Sequence, residues 1–133
     1  MVRVLTFLSL VFWLIPFTTF GQSKEPSKTI IVVDAGHGGT DSGAVGINEV
    51  QEKDMVLAIA MEMEGLNETL FGETYEIYNT RYTDTLIALS DRAKLARALN
   101  ADLFVSLHCN HSGNSNAKGV EVYVPTKGKY IRE

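Results

Sequence analysis

The apolar residues of this chain fall in short runs separated by polar or glycine-rich stretches, a pattern that predicts alternating strands and helices. Four β-branched residues, Ile30 to Val33, predict a first strand over 29–34 that is buried on both faces, as in parallel sheets. Three more strands are predicted at 75–80, at 101–107 and at 119–124, the last closed by Pro125.

Two helices are predicted between these strands. Val56, Ile59, Ala60 and Met63 recur at helical spacing and form one apolar face, behind a possible N-cap at Asn48 with Gln51 three positions on. This helix has a blurred end near Gly65 and Asn67. A shorter helix is predicted from Ser90, as its cap, to Leu99. The alternation predicts a single α/β domain with a central, mostly parallel twisted sheet flanked by helices.

The first 28 residues have a different character. Arg3 precedes an apolar run, Val4 to Phe17, and small residues at Thr19 and Gly21 then suit a cleavage site. We therefore predict a signal peptide over 1–21. The run is too short for a membrane span, which needs about 20 apolar residues, and Pro16 interrupts it. Residues 22–28 form a polar lead-in, and the domain is predicted over 29–133.

Composition narrows the class of protein. Without Arg3 the exported chain carries 11 basic and 16 acidic residues, a net charge of −5. No Lys/Arg cluster occurs, which argues against nucleic acid as a partner. The single cysteine, Cys109, excludes an internal disulfide, so a bound metal is one remaining way to stabilise the exported fold.

Two of the predicted strands are followed by a histidine. His37 follows the first strand and His108 the third, so in a parallel sheet both imidazoles emerge at the same edge. Glu49 and Glu52 lie near the start of the first helix, from where either carboxylate can reach that edge. Two imidazoles and one carboxylate are the ligand set of an open zinc site with water in the fourth position. The spacing alone does not choose between the two glutamates.

Other polar residues near this edge have two possible roles each. Asp34 either accepts a hydrogen bond from a ligand imidazole or caps the strand end, and we give the two equal weight. Arg81 with Asp84 is predicted to be a structural ion pair, ahead of a role in binding a substrate carboxylate.

The polar residues after the third strand also have alternative roles. Asn110 is predicted to fix the loop rather than contact a ligand, and His111 to be a solvated loop histidine, because a fourth protein ligand would close the site. Cys109 is predicted to be a small buried residue rather than a nucleophile, since adjacent strand residues point to opposite faces.

Several motifs, in this order, resemble the zinc-dependent N-acetylmuramoyl-L-alanine amidases. They are Asp34-Ala35-Gly36-His37-Gly38-Gly39, Gly43-Ala44 with Gly46, Glu52-Lys53-Asp54, Thr80-Arg81, Ser106-Leu107-His108-Cys109-Asn110 and Lys118-Gly119-Val120-Glu121-Val122-Tyr123. The resemblance covers about residues 29–124.

The resemblance implies that His37, Glu52 and His108 bind Zn²⁺, with Glu52 rather than Glu49 as the carboxylate ligand. It implies hydrolysis of the amide between N-acetylmuramic acid and L-alanine in peptidoglycan, by an enzyme exported to the periplasm or cell envelope and not held in the membrane after signal cleavage. The family's general-base glutamate lies in a late helix-strand portion that has no counterpart here, and Glu121 and Glu133 are not expected to replace it. The domain is thus predicted to be incomplete. The alternatives are a non-catalytic protein that binds zinc or peptidoglycan, and a fragment that does not fold alone.

Overall fold

A computed structural model of the chain describes residues 27–72, 74–114 and 116–124. The elements follow in the order β1 (Thr29–Ala35), α1 (Glu52–Phe71), β2 (Tyr75–Asn79), α2 (Leu89–Ala98) and β3 (Leu103–Leu107). The predicted fold class, a parallel sheet flanked by helices, is confirmed. The predicted signal peptide, most of the polar lead-in and Pro125 lie outside the described residues.

β1 is the central strand of a sheet whose order, within the described residues, is β2-β1-β3 with both pairs parallel. Val33 stands opposite Asn79 on one side and opposite Val105 on the other, and Ala35 pairs with Leu107. The chain leaves β1 towards β2 and then crosses back to β3, so the direction of winding reverses between β1 and β3. In open α/β sheets, the carboxyl ends of the strands at such a reversal form the crevice in which ligands bind.

The core lies between β1 and α1. Val33 and Ala35 of the strand and Val56 and Ala60 of the helix are buried and pack together. The two helical residues are four positions apart, one turn of an α-helix, as the apolar face predicted. Ile59 was predicted on this face but is 44% exposed, because only a narrow stripe of α1 reaches the sheet.

Both ends of α1 differ from the prediction. The helix begins at Glu52 after an extended Gln51, and not at Asn48, because the preceding residues fold into a turn in which the Gly46 N–H donates to Val50 O at 2.9 Å. At the other end it continues to Phe71. Asn67 lies inside the helix, where its side chain hydrogen-bonds to the backbone of Tyr75 and so attaches α1 to β2.

The other elements are shifted or shortened. α2 begins at Leu89 with Ala88 as N-cap, so Ser90 lies inside the helix and does not cap it. β3 begins at Leu103 and not at 101, because the Ala101 N–H still donates to Ala96 O as the chain leaves α2 through a left-handed Asn100.

The predicted fourth strand is wrong for the described residues. Residues 119–124 form no strand, and Val120, Val122, Tyr123 and Val124 are all exposed. Alternating apolar residues form a strand only beside a partner strand, and none of the described strands pairs with this segment.

In the part of the chain that the structure describes, neither helix is long and apolar enough to cross a bilayer.

Candidate metal centre

His37 and His108 meet beyond the carboxyl ends of β1 and β3. The paired ends of these strands, Ala35 and Leu107, bring the two histidines to one edge of the sheet. The Nε2 atom of His37 lies 3.2 Å from the Nδ1 atom of His108. Gly36 allows this approach, because a Cβ at that position would overlap the ring of His108. The predicted convergence of the two imidazoles is therefore present.

Glu52 completes the group from the first position of α1. Its Oε1 atom lies 3.1 Å from His37 Nε2 and 3.1 Å from His108 Nδ1. Glu49 precedes the helix in a left-handed conformation, is exposed and does not belong to this group of possible ligands. Of the two glutamates that spacing left open, Glu52 is the one placed between the histidines.

Two backbone N–H groups hold the Glu52 carboxylate. Ala44 donates to Oε2 at 2.8 Å, and Cys109 donates to Oε1 at 2.7 Å. Burial opposes the charge, but these two hydrogen bonds and the nearby His37 outweigh it and lower the pKa of Glu52. The carboxylate is thus ionised and fixed at neutral pH, as a metal ligand must be.

The geometry of the three donor atoms fits a single metal ion. His37 Nε2, His108 Nδ1 and Glu52 Oε1 form a nearly equilateral triangle with sides of 3.1–3.2 Å. Tetrahedral coordination at about 2.0–2.1 Å separates ligand atoms by roughly 3.3 Å, close to these distances. The three residues can therefore hold a metal, and the three lone pairs meeting at one point suit a cation better than a set of mutual hydrogen bonds.

Asp41 is a member of the site that sequence reasoning missed. Its Oδ2 atom lies 2.9 Å from His37 Nδ1. Because a carboxylate only accepts hydrogen bonds, this contact places the imidazole proton on Nδ1 and leaves Nε2 free to bind a metal. The hydrogen bond from His37, followed by one from the Gly43 N–H, lowers the pKa of Asp41. The sequence feature that could have indicated this role is an acidic residue four positions after the histidine, in a glycine-rich loop.

Asp34 forms no hydrogen bond with either histidine. Its Oδ1 atom accepts hydrogen bonds from Arg92 Nη1 at 2.7 Å and from the Thr80 hydroxyl at 2.8 Å, and Oδ2 accepts one from the Ser106 hydroxyl at 2.7 Å. Asp34 and Arg92 are both buried. Asp34 therefore joins α2 to the sheet, and the imidazole-orienting contact that we considered for it belongs to Asp41.

Arg81 forms a different set of contacts from the predicted ion pair. Its buried guanidinium donates to the backbone carbonyls of Ala35, Gly36 and Lys53 at 3.0, 2.9 and 2.7 Å. Asp84 instead forms its salt bridge with Lys53 Nζ, at 2.7 Å. Arg81 therefore supports the loop that carries His37, and each of its three side-chain nitrogens already donates to a backbone carbonyl.

The residues after His108 lie on the surface. Asn110 donates to a carboxylate oxygen of Glu121 at 2.6 Å, consistent with the predicted loop role. Cys109 is exposed, contrary to the prediction of a buried thiol, because β3 ends at Leu107 and leaves it in the loop. His111 is exposed and, among the described residues, is not part of the ligand group.

Comparison with known proteins gives this geometry a family. The family model for N-acetylmuramoyl-L-alanine amidase matches residues 31–133. The chain belongs to the N-acetylmuramoyl-L-alanine amidase family. It is 38% identical to the amidase AmiC of Neisseria meningitidis over 109 residues, 81% of this chain and 26% of that protein. It is 41% identical to the amidase AmiA of Salmonella typhimurium over 100 residues, 75% of this chain and 34% of that protein.

Solved amidase structures share the fold. The catalytic domain of the amidase CwlV from Bacillus (Paenibacillus) polymyxa superposes with a TM-score of 0.62 at 42% identity, covering 67% of this chain and 49% of that one. The amidase AmiC2 of Nostoc punctiforme gives a TM-score of 0.61 at 36% identity, covering 68% of this chain and 48% of that one. The chain thus spans about half of these structures and a quarter to a third of the two curated relatives.

Proposed function

We propose that this chain is a zinc-dependent amidase that hydrolyses the bond between N-acetylmuramic acid and L-alanine in peptidoglycan. The observation that carries the proposal is the triangle of His37 Nε2, His108 Nδ1 and Glu52 Oε1, with sides of 3.1–3.2 Å, at the sheet edge. Membership of the amidase family supplies the substrate class. The same substrate favours an exported location in the cell envelope, in keeping with the signal peptide proposed for residues 1–21.

The donor set favours zinc over the other common divalent cations. Calcium and magnesium prefer oxygen ligands, whereas two imidazoles and one carboxylate are typical of catalytic zinc. Three protein ligands leave a fourth position for water or substrate. When bound, zinc polarises an amide carbonyl and makes water more acidic, two effects that favour attack on an unreactive amide.

The chain's own residues prepare the ligands for this role. Asp41 holds the proton of His37 on Nδ1, which keeps Nε2 available. The N–H groups of Ala44 and Cys109 keep the Glu52 carboxylate charged and in one orientation. Arg81 fixes the carbonyls of Ala35 and Gly36, the two residues that lead into His37. The ligands are thus pre-arranged by neighbours from the loops that follow β1, β2 and β3.

The test is release of peptides from purified sacculi by the full chain, with and without a chelator, beside measurement of zinc bound per chain. Release that stops on chelation and returns with added zinc supports the proposal. A Glu52→Gln variant should bind zinc more weakly and release less peptide, whereas Glu49→Gln should retain the wild-type level of both. Zinc binding without any release would instead identify a non-catalytic zinc-binding protein.

A further inference from the structure

A groove opens directly beside the candidate metal centre. It has a volume of about 520 Å³. Its lining combines His37, Asp41 and His108 with the buried Arg92 and with a run of apolar residues, Leu86, Ile87, Ala88 and Leu89. We refer to residues 86–89 as the apolar shelf. Leu86 is 54% and Leu89 is 82% exposed, so two large apolar side chains face water next to the metal ligands.

The apolar shelf is fixed relative to the metal ligands. Arg92 donates through Nε to Ile87 O at 3.0 Å and through Nη2 to His37 O at 2.8 Å, so one guanidinium ties the shelf to the backbone of His37. The backbone of Gly39 packs so closely on Leu86 that a Cβ would lie 2.9 Å from the Leu86 nitrogen. Ligand pockets are typically concave and lined by apolar side chains with a few polar groups, which is the composition of this groove.

The charges around the groove select the kind of group that it can accept. Arg92 lines it but is buried and paired with Asp34, so its charge is already neutralised. Asp41 presents a half-exposed carboxylate to the same space. Away from the metal itself, an anionic group placed here would face this negative charge and would find no unpaired cationic side chain among the lining residues. The groove therefore favours a neutral, partly apolar group.

The two sides of the substrate amide differ in charge and in apolar character. On the acyl side are a neutral sugar, the lactyl methyl group and the acetamido methyl group. On the amine side, L-alanine is followed by a peptide with free carboxylates. Resting on the function proposed above, we propose that the apolar shelf, through Leu86 and Leu89, binds the muramoyl side of the scissile amide, leaving the peptide to extend away from Asp41.

The experiment compares binding of two soluble probes to the zinc-loaded full chain by calorimetry. One probe is the primary amide of N-acetylmuramic acid, and the other is the peptide L-alanyl-γ-D-glutamyl-L-lysine. Leu89→Ser and Leu86→Ser should each weaken binding of the muramoyl amide by about tenfold, the value of a lost apolar contact in a pocket, and leave peptide binding unchanged. Leu70→Ser, at a 65% exposed position of α1, is the matched control and should alter neither.

The proposal is overturned if the muramoyl amide does not bind the wild-type chain, if its affinity is the same in the shelf variants, or if the peptide is the probe that they lose. Equal zinc content and equal unfolding temperature in all variants separate an effect on the groove from loss of the centre or the fold. The function proposed above would fail for a different reason, namely if the wild-type chain took up no zinc or did not cleave sacculi. If both shelf variants cleaved sacculi at the wild-type rate, the shelf proposal would be overturned and the proposed function would stand.

Discussion

Arg92 Nη1 lies 2.7 Å from Asp34 Oδ1, and this buried ion pair joins α2 to the central strand just before the loop that carries His37. The same nitrogen also donates to Ala35 O at 2.8 Å, so the guanidinium charge is well compensated. Removing one member of such a pair leaves the other charge buried without its partner.

We therefore expect Asp34→Ala to lower the free energy of unfolding by about 3–5 kcal/mol, measured by urea denaturation. The control is Asp91→Ala, which breaks the exposed pair between Asp91 and Lys94 and should have little effect. Equal decreases in the free energy of unfolding would show that the buried pair contributes no more to stability than the exposed pair.

Variants of the three proposed metal ligands should bind less zinc than variants of neighbouring residues. His37→Ala and His108→Ala should abolish binding of zinc, and Glu52→Gln should weaken it, since a neutral amide is a poorer ligand than a carboxylate. Glu49→Gln should leave zinc at the wild-type level. Metal analysis after dialysis tests this series, and near-stoichiometric zinc in either histidine variant would refute the ligand assignment.

Asp41 should act on the metal only through His37. Asp41→Asn replaces a pure acceptor with a side chain that can donate, so the Nδ1 proton of His37 is no longer enforced. Zinc affinity should fall by about 10–100-fold, with the fold intact. Competition with a chromogenic chelator measures this change, Asp91→Asn serves as the control, and wild-type affinity in Asp41→Asn would exclude the positioning role.

Gly43 and Gly65 form a natural pair of contrasting glycines. Gly43 has φ +64°, and a Cβ there would lie 2.6 Å from both Glu52 Oε2 and His37 Cδ2. Gly43→Ala should therefore cost about 1–3 kcal/mol of stability and weaken metal binding. Gly65 is inside α1 with nothing within 4 Å of its added Cβ, so Gly65→Ala should stabilise by about 0.5–1 kcal/mol. Thermal unfolding should rank the two variants on opposite sides of the wild type.

Asp84 should contribute a pH-dependent part of the stability. The hydrogen bond from Lys53 Nζ, and then that from the Gly39 N–H, lower the pKa of Asp84 below its ordinary value of 3.8. A carboxylate whose pKa is lower in the folded state stabilises the fold above the unfolded pKa and loses this effect as pH falls through the folded pKa. In metal-free protein, Asp84→Asn should lower the unfolding temperature more at pH 7 than at pH 3, and an equal decrease at both would contradict the assignment.

The features that sequence reasoning predicted correctly are those with a local pattern. A continuous β-branched run predicted the buried central strand, and helical spacing predicted that Val56 and Ala60 reach the core. Parallel pairing then implied that His37 and His108 share one edge, as the register of β1 and β3 shows. These inferences needed only periodicity and the direction of the strands.

The features that were missed depend on partners distant in sequence or on loop geometry. Arg92 looks like an exposed residue of a polar helix, yet it is buried because Asp34, 58 positions away, accepts its hydrogen bond. The start of α1 was misplaced because the Glu52 N–H bonds to Ala44 O, a contact that no capping pattern at Asn48 reveals. Residues 119–124 alternate like a strand, but strand formation also requires a neighbouring edge.

The two imidazoles of the centre come from positions 71 residues apart. Neither the β1–α1 unit nor the α2–β3 unit contains both histidines. The ion therefore cannot be bound by all three residues until β3 has docked beside β1, which brings together the ends of the long intervening segment. Zinc uptake should accordingly be a late event in folding, and the ion should favour the assembled chain by mass action rather than direct its early collapse. If the chain binds zinc as proposed, protein deprived of the metal would have a larger unfolded fraction, open to proteolysis, so the supply of the metal would set how much folded chain survives.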